Sequence, residues 1–260
     1  MKIRNFLPPI LADSLERLVG RLSPGTRRKV YWKNIYRTWD EAASQSKGYN
    51  DPEILRKVSE AVIKVKKGEA AYERDGVLFD EYEYNWPLLT YILSKAGEQN
   101  GKVHIVDFGG SLGSVYFQHI HFFSKLESLK WSIVEQPHYV REGNTHFADG
   151  KLHFYETIAN AVADRGNIDI IIFSASIQYI KQQREILDDV IRLNIPFVML
   201  ERLSVTDNPS GGFIANQYVK SDIVVSSYPI YFYTIAELDG ILKSYNRVYE
   251  GQSLQDPLSR

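Results

Sequence analysis

The chain has 260 residues, 44% of them apolar, with 31 basic side chains against 32 acidic ones and no cysteine. That is enough for one large α/β domain with an appendage, or for two small domains. The balanced charge argues against a nucleic-acid binder. The lack of cysteine excludes disulfides, cysteine-ligated zinc and thiol chemistry, and fits a reducing cytoplasm.

The charge is unevenly spread. Residues 1–37 hold nine basic side chains, opposed only by Asp13 and Glu16. Ile10, Leu11, Leu15, Leu18 and Val19 recur there at helical spacing behind Pro8-Pro9, and Gly20 with Ser23-Pro24-Gly25 ends the pattern. A basic amphipathic helix can rest on an anionic membrane surface, which would make the protein membrane-peripheral. The short apolar face favours a helix packed on its own domain, or a contact between two copies. No apolar run is long enough to span a bilayer, and no cleavage site of the signal-peptide kind follows the start.

Residues 42–101 read as helices. Pro52 opens one, with Asn50 or Asp51 as its N-cap and Gly68 closing it; Pro87 opens another. Between them lies a polar, aromatic stretch, 72–86, whose Tyr82, Tyr84 and Trp86 are placed either to fold over a ligand as a lid or to pack between two halves. Residues 1–101 are therefore read as a helical extension rather than a sheet.

From Lys102 strand and helix alternate. Residues 103–108, 129–135, 152–155, 168–173 and 196–203 read as strands; 114–126, 137–147, 157–164 and 181–193 read as helices. Such βα repeats imply a parallel sheet with helices on both faces, wound by right-handed crossovers. After Asp207 the rhythm breaks into a loop at 208–212, a strand near 223–227, a helix at 235–245 and a last short strand at 246–250.

Ligands of open α/β sheets sit at the carboxyl ends of the strands. The turn after the first strand, Gly109-Gly110-Ser111-Leu112-Gly113, is the place to look. Its glycines allow close backbone approach, and the helix that follows offers unpaired N–H groups. A phosphate loop would need Lys-Ser or Lys-Thr after the glycines, and a dinucleotide turn would need G-x-G-x-x-G; neither is present. Asp107 precedes the turn. A carboxylate there is unfavourable beside pyrophosphate and favourable beside the ammonium of a methionine moiety, which points to S-adenosylmethionine. Glu135, at the end of the second strand, can accept both ribose hydroxyls, a feature shared with NAD sites; a helix-capping acid is the less favoured reading. His119 and His121 fall within the helix after the turn and are read as packing or solvent-facing side chains, not metal ligands.

The run 106–114, Val-Asp-Phe-Gly-Gly-Ser-Leu-Gly-Ser, followed by Trp131-Ser132-Ile133-Val134-Glu135-Gln136-Pro137, resembles a family of bacterial S-adenosylmethionine-dependent methyltransferases associated with surface-polysaccharide gene clusters. Trp39-Asp40-Glu41-Ala42 with Gly48-Tyr49, Tyr72-Glu73-Arg74-Asp75, Trp86-Pro87-Leu88-Leu89, 173–180 and Ser227-Tyr228-Pro229 are similar too. Two features depart from common patterns. Ser111 stands where methyltransferases in general have the middle glycine, and the chain stops soon after Tyr249, where the family closes with another strand.

The resemblance implies a Rossmann-like class I methyltransferase sheet over 102–260, with the helical extension at 1–101. It implies S-adenosylmethionine held by Asp107, Gly109, Gly110, Ser111, Gly113, Glu135, Gln136 and Ser174, and methyl transfer to a hydroxyl of a glycan or glycan precursor. By position beyond the strand ends, Tyr179 and Asp207 are candidate catalytic groups, Asp207 as the base. Gln178, Arg202 and Tyr228 are candidates for holding the acceptor, Arg202 suiting an anionic one. A scaffold that keeps the fold without catalysis and an NAD-linked sugar-modifying enzyme stay open as alternatives.

Overall fold

The computed structural model describes residues 29–48, 52–220 and 225–251. The amphipathic helix expected near the start, and the N-cap at Asn50 or Asp51, lie outside these residues.

Five parallel strands form the centre: β4 (Lys102–Phe108), β5 (Ser128–Val134), β6 (Leu152–Tyr155), β7 (Ile170–Ser174) and β8 (Phe197–Glu201), in the order β6-β5-β4-β7-β8. The winding reverses beside β4, so the carboxyl ends of β4 and its neighbours open a crevice there. This is the expected Rossmann-like doubly wound sheet. Its strands are nearly continuous apolar runs because both faces are covered. Ile105, Trp131, Ile133, Ile170 and Ile172 belong to one core cluster, which α3 (Trp86–Glu98) joins through Leu88, Leu89 and Ile92. Val106, Ile171 and Phe173 face the other way, onto α7 (Gln183–Arg192) through Leu187 and Val190. Truncating one of these fully buried isoleucines to alanine would cost about 2–5 kcal/mol.

The helices follow the expected order with trimmed ends. The one after the glycine turn, α4 (Ser114–His119), gives way to a 3-10 turn over Ile120–Phe123. Next come α5 (Pro137–His146) and α6 (Ile158–Arg165), the latter capped by Thr157, whose side chain accepts from the Asn160 N–H at 3.0 Å. The C-terminal helix α8 spans Ile235–Ile241, shorter than the expected 235–245, and residues 246–250 form no strand; they are exposed coil.

The first hundred residues are not wholly helical. They do carry α1 (Trp39–Ser44), α2 (Pro52–Lys66) and α3, but residues 29–36 form β1 (Lys29–Tyr36), the edge of a three-stranded antiparallel sheet. Its other strands are β9 (Phe213–Lys220), in the centre, and β10 (Val225–Phe232). In register, Trp32 lies opposite Gln217, and Gln217 opposite Tyr228. The sheet thus joins segments about 180 positions apart, a pairing that local periodicity does not reveal. A second departure is the hairpin of β2 (Tyr72–Arg74) and β3 (Val77–Phe79). Its turn is Asp75-Gly76, both at positive φ (52° and 78°), the geometry of a type I′ turn that matches the twist of the flanking strands.

Candidate active site

The crevice is one broad open cleft of about 2980 Å³, several times what a single drug-sized ligand fills. Four walls enclose it: the ends of β4, β5, β7 and β8, the β2–β3 hairpin, the start of α3 and the inner face of the antiparallel sheet.

The glycine turn forms the floor, and each of its glycines has its own reason. Gly109 takes φ 70°, and a Cβ on it would stand 2.5 Å from the Ser176 Cβ. Gly110 has an ordinary φ, but a Cβ there would meet the Asp107 carboxyl group at 2.6–2.9 Å. Gly113 opens α4 at φ 99°. Ser111 adopts φ 56°, so it takes up the left-handed conformation that glycine supplies in the commoner pattern. Its N–H donates to Glu135 Oε1 at 3.3 Å, while Gln136 N–H donates to Glu135 Oε2 at 2.8 Å. These two bonds aim the Glu135 carboxylate across the turn. Burial pushes its pKa up, and the two N–H groups oppose that.

Asp107 lies fully buried at the end of β4, and neither of its carboxylate oxygens has a hydrogen-bond partner. Burial pushes its pKa up to about 7, and the charges of Glu201 and Glu135 add to the rise. The Trp131 indole N–H, close to Asp107 but short of hydrogen-bond geometry, and the Arg202 charge pull the other way and do not offset the burial. A buried carboxyl group without a partner is costly unless something cationic or hydrogen-donating completes it.

Around β7 and β8 the backbone is strained. Ala175 (φ 52°) and Arg202 (φ 49°), the residues that follow these strands, both sit in the left-handed region, where non-glycine residues are uncommon. Ser174 Oγ donates to Glu201 Oε2 at 3.1 Å and accepts from Arg202 Nη2 at 3.2 Å. Gln178 donates to the Arg202 carbonyl at 3.0 Å, and its Oε1 is buried without a partner. Asn85, which sequence reasoning did not single out, donates from its side chain to Glu201 Oε1. The Asn85 backbone N–H in turn donates to His119 Nε2 at 3.1 Å, with His119 Nδ1 on the Val115 carbonyl at 2.8 Å. His119 is therefore a buried, neutral bracket, its pKa lowered by burial; His121 is exposed.

Tyr179 and Tyr228, singled out separately, meet edge to face at 5.2 Å. Between them Gln217 accepts from the Tyr179 hydroxyl at 3.2 Å and donates to Tyr228 Oη at 3.1 Å. Trp32, across from Gln217 on β1, extends this wall and leans on Phe232 at 5.4 Å. Gln217 and Trp32 carry no local signal in the sequence, because the strands that place them, β9 and β1, pair across the length of the chain.

Asp207 does not join these groups. After β8 the chain is drawn along residue 233, with Thr206 N–H on the Tyr233 carbonyl at 2.8 Å and Tyr233 N–H on the Ser204 carbonyl at 2.9 Å. That path leaves Asp207 exposed and outside the cleft lining. Of the aromatic stretch, Tyr84 and Trp86 line the cleft. Tyr84 packs on Phe122 (4.9 Å) and His121 (5.2 Å), and Tyr82 and Trp86 are largely exposed.

The hairpin is the wall next to the glycine turn. Glu73, on β2, is almost fully buried; its Oε2 accepts from Gly76 N–H at 2.9 Å and its Oε1 from the hydroxyl of Ser114, the first residue of α4. Burial pushes its pKa up to about 7 against the pull of these hydrogen bonds. Asp-Gly between Tyr72-Glu73-Arg74 and Val77-Leu78-Phe79 is a recognisable hairpin signal.

Neither the protein-family models nor the curated proteins include a match to this chain. Among solved structures, the chain is similar to the N-terminal domain of EvdMO1 in the presence of SAH and D-fucose, at 13% identity and a TM-score of 0.40, over 75% of this chain and 86% of that one. DesVI of Streptomyces venezuelae is 11% identical with a TM-score of 0.40, over 61% and 80%. SAM-bound CalS10, an amino pentose methyltransferase from Micromonospora echinaspora involved in calicheamicin biosynthesis, is 11% identical with a TM-score of 0.34, over 82% and 90%. The strand order and crossovers, not these likenesses, define the fold.

Proposed function

We propose that the chain is an S-adenosylmethionine-dependent methyltransferase that methylates a hydroxyl of a glycan or glycan precursor. The observation that carries the cofactor is the buried, unpartnered Asp107 beneath Gly110, together with Glu135 held across the same turn. Phosphate groups would be repelled by this pair, whereas an ammonium and a ribose diol suit it. The glycine turn from Gly109 to Gly113 gives the close backbone approach; Gln136 and Ser174 border it at the ends of β5 and β7.

When bound, the cofactor supplies a methyl group on a sulfonium, open to in-line displacement. The protein's part is alignment. Ser174, Glu201, Arg202 and Gln178 form one hydrogen-bonded set at the strand ends, held by the strained backbone at Ala175 and Arg202. Tyr179, Tyr228, Gln217 and Trp32 make an amphipathic wall opposite, suited to a sugar ring: aromatic faces for its C–H groups and an amide and hydroxyls for its oxygens. In this reading Tyr179 orients the acceptor hydroxyl, and Arg202 suits an acceptor that carries a phosphate or uronate.

Calorimetry with S-adenosylhomocysteine tests the cofactor. Saturable one-to-one binding is expected, and a folded sample that gives none would overturn the reading. Methyl transfer to a panel of sugar nucleotides and oligosaccharides tests the acceptor class; turnover confined to non-sugar acceptors would replace it. Cytoplasmic residence and peripheral membrane contact through residues 1–37 belong to the same reading. Co-sedimentation with anionic vesicles at low salt tests the contact, and protein left in the supernatant would exclude it. No helix among the described residues is long and apolar enough to cross a membrane.

A further inference from the structure

The Tyr72-Glu73-Arg74-Asp75 segment has no role in the chemistry proposed above. We propose that Glu73 is a direct ligand of the cofactor's α-ammonium group, so that the β2–β3 hairpin forms the amino-acid end of the binding site. This rests on the S-adenosylmethionine reading. Three observations carry it. Glu73 is 2% exposed yet lines the cleft, and its carboxylate is fixed from two sides, by Gly76 within the hairpin and by Ser114 at the start of α4. Two donors leave a carboxylate with lone pairs to spare. The floor beside the same turn holds Asp107, fully buried, with both oxygens unpartnered. Two buried carboxyl groups line this one cleft, and among the described residues no cationic side chain is hydrogen-bonded to either; Arg74 and Arg202 act on them only through their charge, so a bound cationic group suits the site. Glu135 likewise accepts one N–H on each oxygen, and in the proposed reading it is the acid that takes the ribose diol. Arg74, next along β2, lines the cleft as well, where it lies 3.9 Å from Glu83 and over the Tyr72 and Phe79 rings.

The test compares two ligands on the wild type and on Glu73→Gln. S-adenosylhomocysteine carries the amino-acid end; 5′-methylthioadenosine has the same adenosine without it. The amide keeps the size of the side chain, an oxygen for the Gly76 N–H and an NH2 from which the Ser114 hydroxyl can accept, and loses the charge. Affinity of Glu73→Gln for S-adenosylhomocysteine is expected to fall about 10- to 100-fold, the range of one charge-assisted hydrogen bond, with 5′-methylthioadenosine binding unchanged. Equal losses for both ligands, or none for either, would overturn the proposal. Ser114→Ala removes the latch and keeps the carboxylate, so it is expected to cost less than Glu73→Gln and again only with S-adenosylhomocysteine; an equal loss with 5′-methylthioadenosine would assign the Glu73–Ser114 pair a purely structural role. A structure of the wild-type complex needs no variant. A homocysteine nitrogen within about 3.2 Å of a Glu73 oxygen agrees with the proposal, and one with Glu73 out of contact overturns it. Failure of the cofactor reading would look different, since the wild type would then bind neither ligand.

Discussion

Gly110 and the Asp107 carboxyl group leave no room for a side chain between them. A Cβ at position 110 would press on the Asp107 carboxyl group from 2.6 Å, and the floor of a packed strand gives it nowhere to go. Gly110→Ala is therefore expected to lower stability by about 1–3 kcal/mol, the usual range for overpacking. It should also weaken S-adenosylhomocysteine binding, because the turn must rise to make room. Denaturant unfolding and calorimetry on one sample check both, and a variant with wild-type values for each would show that the turn yields without loss. Asp107 itself sets a pH dependence. Its folded pKa is about 7, against about 3.9 in an unfolded chain. The folded state thus keeps a proton that the unfolded state has released. Stability of the ligand-free protein should fall as pH rises from about 4 to about 7 and level off above that. Glu73, raised to about 7 by its own burial, acts in the same direction. Asp107→Asn removes one of the two, so its unfolding free energy should drop less between pH 5 and pH 8 than the wild type's, by an amount on the order of a few kcal/mol. Parallel pH profiles for the two proteins would mean that Asp107 is ionised or paired in solution.

The antiparallel sheet is the element that gives the cleft its acceptor side. Alternate residues of β9 and β10 face inward, so Gln217 and Tyr228 share a face, and Trp32 of β1 lies in register with them. Trp32 remains 47% exposed, enough surface to take a ring against it. Trp32→Ala should raise KM for the acceptor roughly tenfold, the worth of burying part of an aromatic face, and leave the affinity for S-adenosylhomocysteine unchanged. Steady-state kinetics with a competent acceptor decides; a loss confined to cofactor affinity would move Trp32 to the other end of the cleft. The same element marks where the sequence stopped being readable. Strands β4 to β8 announce themselves by apolar runs set between helical periods, and the Asp107 turn and Glu135 follow from the ends of those runs. β1 has no such texture: Lys29, Lys33 and Asn34 interrupt it, and its bulge between Lys33 and Ile35, with Asn34 at φ 59°, breaks the alternation. Its partner lies some 180 residues away, beyond the reach of any local pattern. Gln217, Trp32 and the path that carries Asp207 off the cleft could be read only once that pairing was known. The hairpin is different, since Asp75-Gly76 was readable as a turn and was hidden only by the polar residues around it.

At the scale of the molecule, the ligand site joins parts of unequal stability. The parallel sheet is packed on both faces by two large clusters. The β2–β3 hairpin is a two-stranded sheet, and such a pair has little stability of its own. It is fastened to the glycine turn through Glu73 and Ser114 and leans on α2 at Gly76, where a Cβ would touch Lys57 and Val58. Local opening of the hairpin should therefore need less free energy than global unfolding. A ligand that bridges the hairpin and the turn binds only the closed form, so it adds its binding free energy to closure, about 2.7 kcal/mol at a hundredfold excess over Kd. The melting temperature should rise by roughly 5–10 °C at that concentration. Amide exchange separates the two effects. S-adenosylhomocysteine is expected to slow exchange in residues 72–79 most, and to slow α7, on the far face of the sheet, only through the global term. If both segments gain equal protection, the hairpin already opens and closes as one unit with the core. If α7 gains protection and residues 72–79 gain none, the ligand does not touch the hairpin, and Glu73 holds Ser114 for the fold alone.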